Sequence, residues 1–215
     1  MKNLANKGIP NDRVSFVGNT MIDSVVKYLP KAKARFPELA ERLGISGSPY
    51  SLVTLHRPSN VDERESLVKF VELFEGMASF APRIVFPVHP RTRKQIESFG
   101  LLKRMEANKN LVITDPVGYL EFLALQNGAT LVLTDSGGVQ EETTVLGVPC
   151  ITLRENTERP VTVTEGTNEL LGLNMANVLE FSKRAFMGKW KHSSIPALWD
   201  GHAAERIVNI LLSAL

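Results

Sequence analysis

The sequence predicts an α/β chain built on a Rossmann-like, doubly wound parallel sheet of about six strands. Three observations carry that expectation. Short β-rich runs recur with helical patterns between them, which is the signature of strand–helix–strand units joined by right-handed crossovers. Most of the runs are near-continuously apolar rather than alternating, as in strands buried on both faces. The two ends of the runs also differ in chemistry: five of the six carboxyl ends carry charged residues or histidine, whereas the stretches that precede the runs ("SPY", "APR", "NKN", "NGA", "GVP") are plain turn formers. Ligands of open α/β sheets bind at the carboxyl ends of the strands.

In chain order, the expected strands are "VSFVGN" (14–19), "SLVTLH" (51–56), "IVFPVH" (84–89), "LVIT" (111–114), "TLVLTD" (130–135) and "CITLR" (150–154). Between the second and third, residues 62–80 place Leu67, Phe70, Val71, Phe74 and Met77 at three- and four-residue spacings, an apolar stripe on one helix face. Residues 201–215 close the chain with a second such helix. No repeat, low-complexity tract or Pro/Gly/Ser linker interrupts the pattern, so residues 1–215 read as a single domain.

Composition narrows the function classes. The hydrophobic content is 43% and the charged content 22%, ordinary values for a globular protein. A formal net charge of +2, from 25 basic and 23 acidic residues, gives no reason to expect nucleic acid or an anionic membrane surface. No apolar run is long enough to span a bilayer, and "MKNLANKGIPND" lacks a signal core, so the expected location is the cytoplasm. Cys150 is the only cysteine and sits in "VPCITL", which predicts a small buried hydrophobe.

The most informative stretch is "LTDSGGVQEE" (133–142). It reads as a strand end, a Gly-Gly turn and the first turn of a helix. Gly137 and Gly138 let a ligand approach the backbone, and a helix N-terminus offers free N–H groups and partial positive charge to phosphate. Ser136 adds a hydroxyl donor or a helix cap. Glu142 suits ribose hydroxyls. A capped helix without a ligand explains the same residues, and the spacing matches neither GxGxxG nor a P-loop. Other strand ends converge on this edge. His56 and Arg57 follow the second run. His89 lies between two prolines. "RENTERP" holds Arg154 and Arg159, either a solvated loop with internal ion pairs or a guanidinium clamp on phosphate. Phe122 is either core or an aromatic placed against a base. Together these residues point to an anionic nucleotide ligand.

Several longer segments resemble the non-hydrolysing UDP-N-acetylglucosamine 2-epimerase family. They are "LTDSGGVQEETTVLGVPCITLRENTERPVTVTEGTNELLG" (133–172), "VTLHRPSNVD", "FPVHPRTRKQI", "GIPNDRVSFVGNTMIDSV" and "DGHAAERIVNIL". The resemblance covers nearly the whole chain, and what it matches is the C-terminal, UDP-binding half of a two-domain GT-B-like fold. It implies inversion at C2 of UDP-GlcNAc to give UDP-ManNAc, by elimination of UDP to a 2-acetamidoglucal and re-addition. It implies no nicotinamide and no metal. By matching motifs, Ser136, Gly137 and Gly138 would hold the diphosphate, Glu142 the ribose and Arg159 a phosphate. Phe122 would pack near the uracil, His56 beside the phosphates and the reacting sugar, and His89 nearby. The proton-abstracting carboxylates would lie on the N-terminal domain. The implied partners are therefore a UDP-sugar and either that domain or a second copy of the chain.

Two departures bear on the sugar. The family more often carries a second Arg and a Glu where this chain has Pro58 and Ser59, and "HPRTRK" also differs from the common form. Alternatives are half of a GT-B glycosyltransferase or hydrolysing epimerase, and a non-catalytic nucleotide-sugar binding module. The missing half also predicts an open face around His56, Ser136 and Arg159, with Leu211, Leu212 and Leu215 exposed on the last helix and favouring self-association.

Overall fold

A computed structural model describes residues 4 and 6–213. The sheet is assembled from β1 (Tyr50–Thr54), β2 (Arg83–Pro87), β3 (Leu111–Thr114), β4 (Leu131–Thr134), β5 (Cys150–Thr152) and β6 (Asn168–Leu170). All neighbours pair in parallel, in the order β3-β2-β1-β4-β5-β6. The order reverses between β1 and β4, where Leu52 lies opposite Val132. Crossovers diverge there to opposite faces and open a crevice at the strand ends.

Sheet pleating explains the apolar runs. Ile84, Phe86, Leu131 and Leu133 point into one core, together with Phe70, Phe74 and Met77 of α3 (Arg64–Met77). Tyr50, Leu52, Val85 and Val132 point into the other, with Val25 and Leu39 of α1 (Thr20–Arg42) and Leu123 and Leu125 of α6 (Tyr119–Gly128). A strand sandwiched between two helical layers needs apolar residues at consecutive positions, because side chains alternate between faces. All five stripe residues expected between 62 and 80 are buried. The remaining helices are α2 (Pro58–Val61), α4 (Pro90–Ser98), α5 (Leu102–Glu106), α7 (Gly137–Leu146), α8 (Pro160–Thr164), α9 (Met175–Phe186) and α10 (Ala203–Ser213). Cys150 is fully buried, and burial pushes its thiol up to about 12.

One strand expectation is corrected. Residues 14–19 form no strand. Asn19 is the N-cap of α1, its side chain accepting from the Met21 N–H at 3.0 Å, so the helix claims the end of the run. Gly18 has φ +98° and presses against Leu198, whose carbonyl oxygen would lie 2.1 Å from an added Cβ. The run thus packs on the 196–199 stretch, not on the sheet edge. The sixth strand is instead β6, whose "NEL" carries no apolar run. Asn168 is buried there by hydrogen bonding: its Oδ1 accepts from Thr152 Oγ1 at 2.7 Å, and its Nδ2 donates to Gln140 and Thr162.

Candidate functional site

The crevice between β1 and β4 is organised around Asp135, which is fully buried at the end of β4. Its Oδ2 accepts from the His56 N–H at 3.0 Å, the Arg57 N–H at 2.9 Å and Asn60 Nδ2 at 3.2 Å. Its Oδ1 lies 2.8 Å from His56 Nδ1. Burial by itself would raise the pKa of this carboxyl. The His56 ring and the backbone N–H groups of Arg57 and His56 outweigh burial and hold it below the usual range. The carboxylate therefore staples the loop after β1 to the end of β4 and fixes the His56 ring.

Immediately beyond Asp135, α7 begins. Ser136 is its N-cap residue but makes no side-chain capping bond, so its hydroxyl remains available. Gly137 and Gly138 form the first turn, and neither has a protein atom closer than 3.7 Å to where a Cβ would sit. The first N–H groups of α7 have no intrahelical acceptor and face the strand-end edge. Beside them, His56, His89, Phe122 and Ser136 line a pocket of about 240 Å³ whose other walls include Pro116 and Val139. The His56 and His89 ring centroids are 5.7 Å apart. Phe122 packs on the core and also forms part of the pocket wall.

Arg159 lies elsewhere on the same edge. With Glu141, Asn19, Gly18 and Trp199 it lines a larger cavity of about 650 Å³. Its Nε is 2.7 Å from Glu141 Oε1. Burial raises the Glu141 pKa, against the attraction of Arg159 and a hydrogen bond from Asn19. Glu142 points the other way and accepts from Gln126 Nε2 at 2.6 Å. Burial raises its pKa too, opposed by Gln126 and Tyr119. A third hollow, of about 300 Å³, holds Arg57, Asn60 and Arg154. Arg154 pairs with Glu158 at 2.8 Å, so the ion-paired loop and the arginine-bearing edge coexist in "RENTERP".

The fold thus gathers His56, His89, Phe122 and Ser136 into one pocket. Gly137 and Gly138 sit at its rim, and Arg159 faces the neighbouring cavity. For Asp135 and Glu141 the sequence suggested only a place at the strand end and in the first helical turn, not the partners the structure gives them. A signal for Asp135 was present: a carboxylate ending a buried strand requires donors, and "HRPSN" supplies them. Gln140 is a further case. Its Oε1 accepts from Thr157 Oγ1 at 2.6 Å, and Thr157 Oγ1 in turn accepts from the Arg159 N–H at 3.0 Å, which orders the arginine loop from α7. Among the described residues, no three His, Cys, Asp or Glu side chains converge as metal ligands, and no helix is long and apolar enough to cross a membrane.

Comparison with known proteins agrees with this geometry. The family model for UDP-N-acetylglucosamine 2-epimerase matches residues 1–212. The UDP-N-acetylglucosamine 2-epimerase of Methanocaldococcus jannaschii is 42% identical over 97% of this chain, and the match spans 57% of that relative. Its crystal structure in complex with UDP-GlcNAc and UDP superposes with a TM-score of 0.84 over 99% of this chain and 58% of the other. The UDP-2,3-diacetamido-2,3-dideoxy-D-glucuronate 2-epimerase of Pseudomonas aeruginosa is 36% identical over 97% of this chain and 56% of its own length. An ADP-heptose heptosyltransferase II from E. coli shares the fold alone, at a TM-score of 0.57 and 11% identity over 73% of this chain and 52% of the other. The chain spans little more than half the length of its relatives, and over that span, with the six-stranded order, the Asp135-centred crevice and the open Gly-Gly helix start, it belongs to the UDP-N-acetylglucosamine 2-epimerase family.

Proposed function

We propose that the chain is the UDP-binding half of a UDP-GlcNAc 2-epimerase, interconverting UDP-GlcNAc and UDP-ManNAc once a complementary domain closes the crevice. The observation that carries this reading is the start of α7: an uncapped Ser136 and two unencumbered glycines between the His56 pocket and the Arg159 cavity. A diphosphate bridging the two would meet the helix N–H groups and dipole at one end and, in the neighbouring cavity, the Arg159 guanidinium that now pairs with Glu141. Phe122 and Val139 offer an apolar wall to the base, whereas the buried Glu142 carboxylate, which accepts from Gln126, lines neither cavity and would have to turn to reach a ribose.

The reaction removes the proton from C2 as the C1–O bond breaks, giving a 2-acetamidoglucal and UDP. UDP then re-forms the C1–O bond while a proton returns to the opposite face of C2. The acidic groups described at this site are committed: Asp135 to His56, Glu141 to Arg159, Glu142 to Gln126. On this reading, which follows the family resemblance, the half in hand stabilises the departing diphosphate, while carboxylates of the partner domain exchange the C2 proton. That partner is the N-terminal domain, or its equivalent in an oligomer. A second reading concerns the sugar: Pro58 and Ser59 replace charged family residues near the reacting end, and a relative of this length match acts on a diacetamido-glucuronate.

Calorimetric titration with UDP and UDP-GlcNAc tests the reading. The chain should bind UDP, and Arg159→Ala should weaken binding roughly 10- to 100-fold, the loss of one charge-assisted contact. If UDP fails to bind both alone and after the N-terminal half of a full-length relative is added, the assignment is wrong.

A further inference from the structure

We propose that the two histidines of the pocket are locked in opposite neutral tautomers, so that His56 presents an unprotonated Nε2 and His89 a protonated one. Each ring has a partner that can act in only one sense. Asp135 is fully buried and receives three N–H donors on Oδ2 besides the ring contact on Oδ1. A carboxylate held that way only accepts, so the proton of the 2.8 Å contact belongs to His56 Nδ1. For His89 the sense is reversed. Its Nδ1 accepts from the Arg91 backbone N–H at 3.2 Å, as N-cap of α4. A backbone amide only donates, so the His89 proton sits on Nε2.

The two rings face one pocket with their centroids 5.7 Å apart. Its wall therefore carries one imidazole acceptor and one imidazole donor side by side. Asp135 acts as a positioning residue for His56. It fixes the tautomer and so leaves Nε2 as the ring's acceptor in the pocket. The inference deepens the proposed function, and rests on it only for the identity of the ligand that His56 accepts from and His89 donates to.

Asp135→Asn separates tautomer control from packing. The amide oxygen is held at the Oδ2 position by its three donors, which places the amide NH2 opposite His56 Nδ1. Nδ1 must then accept, and the ring proton moves to Nε2. Long-range 1H–15N NMR of the ligand-free chain, at a pH where both rings are neutral, reads this directly. The chain has four histidines, so His192→Gln and His202→Gln complete the assignment. The expected wild-type result is an Nδ1–H pattern for His56 and an Nε2–H pattern for His89. In Asp135→Asn, His56 switches and His89 does not. Wild-type rings that share a tautomer would overturn the inference, as would a folded Asp135→Asn chain with His56 unchanged. The wild-type spectrum decides even if the variant does not fold. Adding UDP tests the ligand assignment separately: a His56 Nε2 resonance that ignores UDP counts against the proposed function and leaves the tautomer result standing.

Discussion

A Cβ built on Gly137 meets no heavy atom within 4 Å, and one on Gly138 meets only the Met21 methyl at 3.7 Å. Neither residue has a positive φ. The fold therefore has no steric use for glycine at either position, and glycine there costs backbone entropy. Alanine at either site is expected to stabilise the chain by up to about 1 kcal/mol, read as a rise in Tm. UDP binding should weaken in the same variants, because a methyl group would occupy the path of a diphosphate to the N–H groups. Unchanged UDP affinity in both variants would remove ligand approach as the reason for the glycines. Glu142 makes a parallel case, since a carboxyl kept in a site that raises its pKa opposes folding at neutral pH. These residues stand out in sequence because the fold by itself gives glycine at 137 and 138, and a buried carboxyl at 142, no structural use. Asp135 and Glu141 do not, because what they do is defined by partners 79 and 18 positions away, His56 and Arg159.

Elements were legible where burial alone decides them. Five strands follow from apolar runs, since both sheet faces are covered by helices and most positions are consequently apolar. The misplaced run and the missed strand share a cause: hydrogen bonding and backbone geometry overruled hydrophobicity. Residues 14–19 look apolar yet are drawn away by the α1 cap and the Gly18 contact, and β6 looks polar yet is held by the Asn168 network. The packing of α6 on α1 gives a test at this scale. Gly128 ends α6, and a Cβ there would lie 2.8 Å from Tyr50 Oη and 2.9 Å from the Phe36 ring. Tyr50 is buried and donates to the Leu125 carbonyl at 2.6 Å, so it cannot yield without losing that bond. Gly128→Ala is thus expected to destabilise the chain by about 1–3 kcal/mol, the scale of overpacking, read as a fall in the denaturation midpoint at unchanged slope. The same substitution has opposite signs at Gly137 and Gly128, and only the structure tells the two glycines apart.

For the whole molecule, the alternation of strands and helices foretold the sheet, and the contrast between the two ends of the strands foretold the edge where His56, His89 and Arg159 line hollows. The division of that edge into a His56 pocket and an Arg159 cavity was hidden, because it depends on strand order, and nothing in the chain shows that β1 and β4 are neighbours. The last helix shows what the fold leaves uncovered. Asp23 of α1 accepts from the Ala203 and Ala204 N–H groups at 3.0 and 2.7 Å, which anchors the start of α10. Further along, Val208, Leu211 and Leu212 fall at i, i+3 and i+4 on one face and are 52%, 61% and 65% exposed. Leu215, expected to extend that face, lies outside the described residues. Covering one such leucine contributes roughly 1.5–3 kcal/mol, so the face favours any surface that can shield it. In the chain by itself the available surface is a second copy. Sedimentation velocity should show concentration-dependent association. The double variant Leu211→Lys, Leu212→Lys should abolish it without loss of Tm, since neither side chain supports the core. A wild-type chain that stays monomeric across the concentration range would show that this apolar face does not drive assembly, leaving the partner domain as its remaining candidate cover.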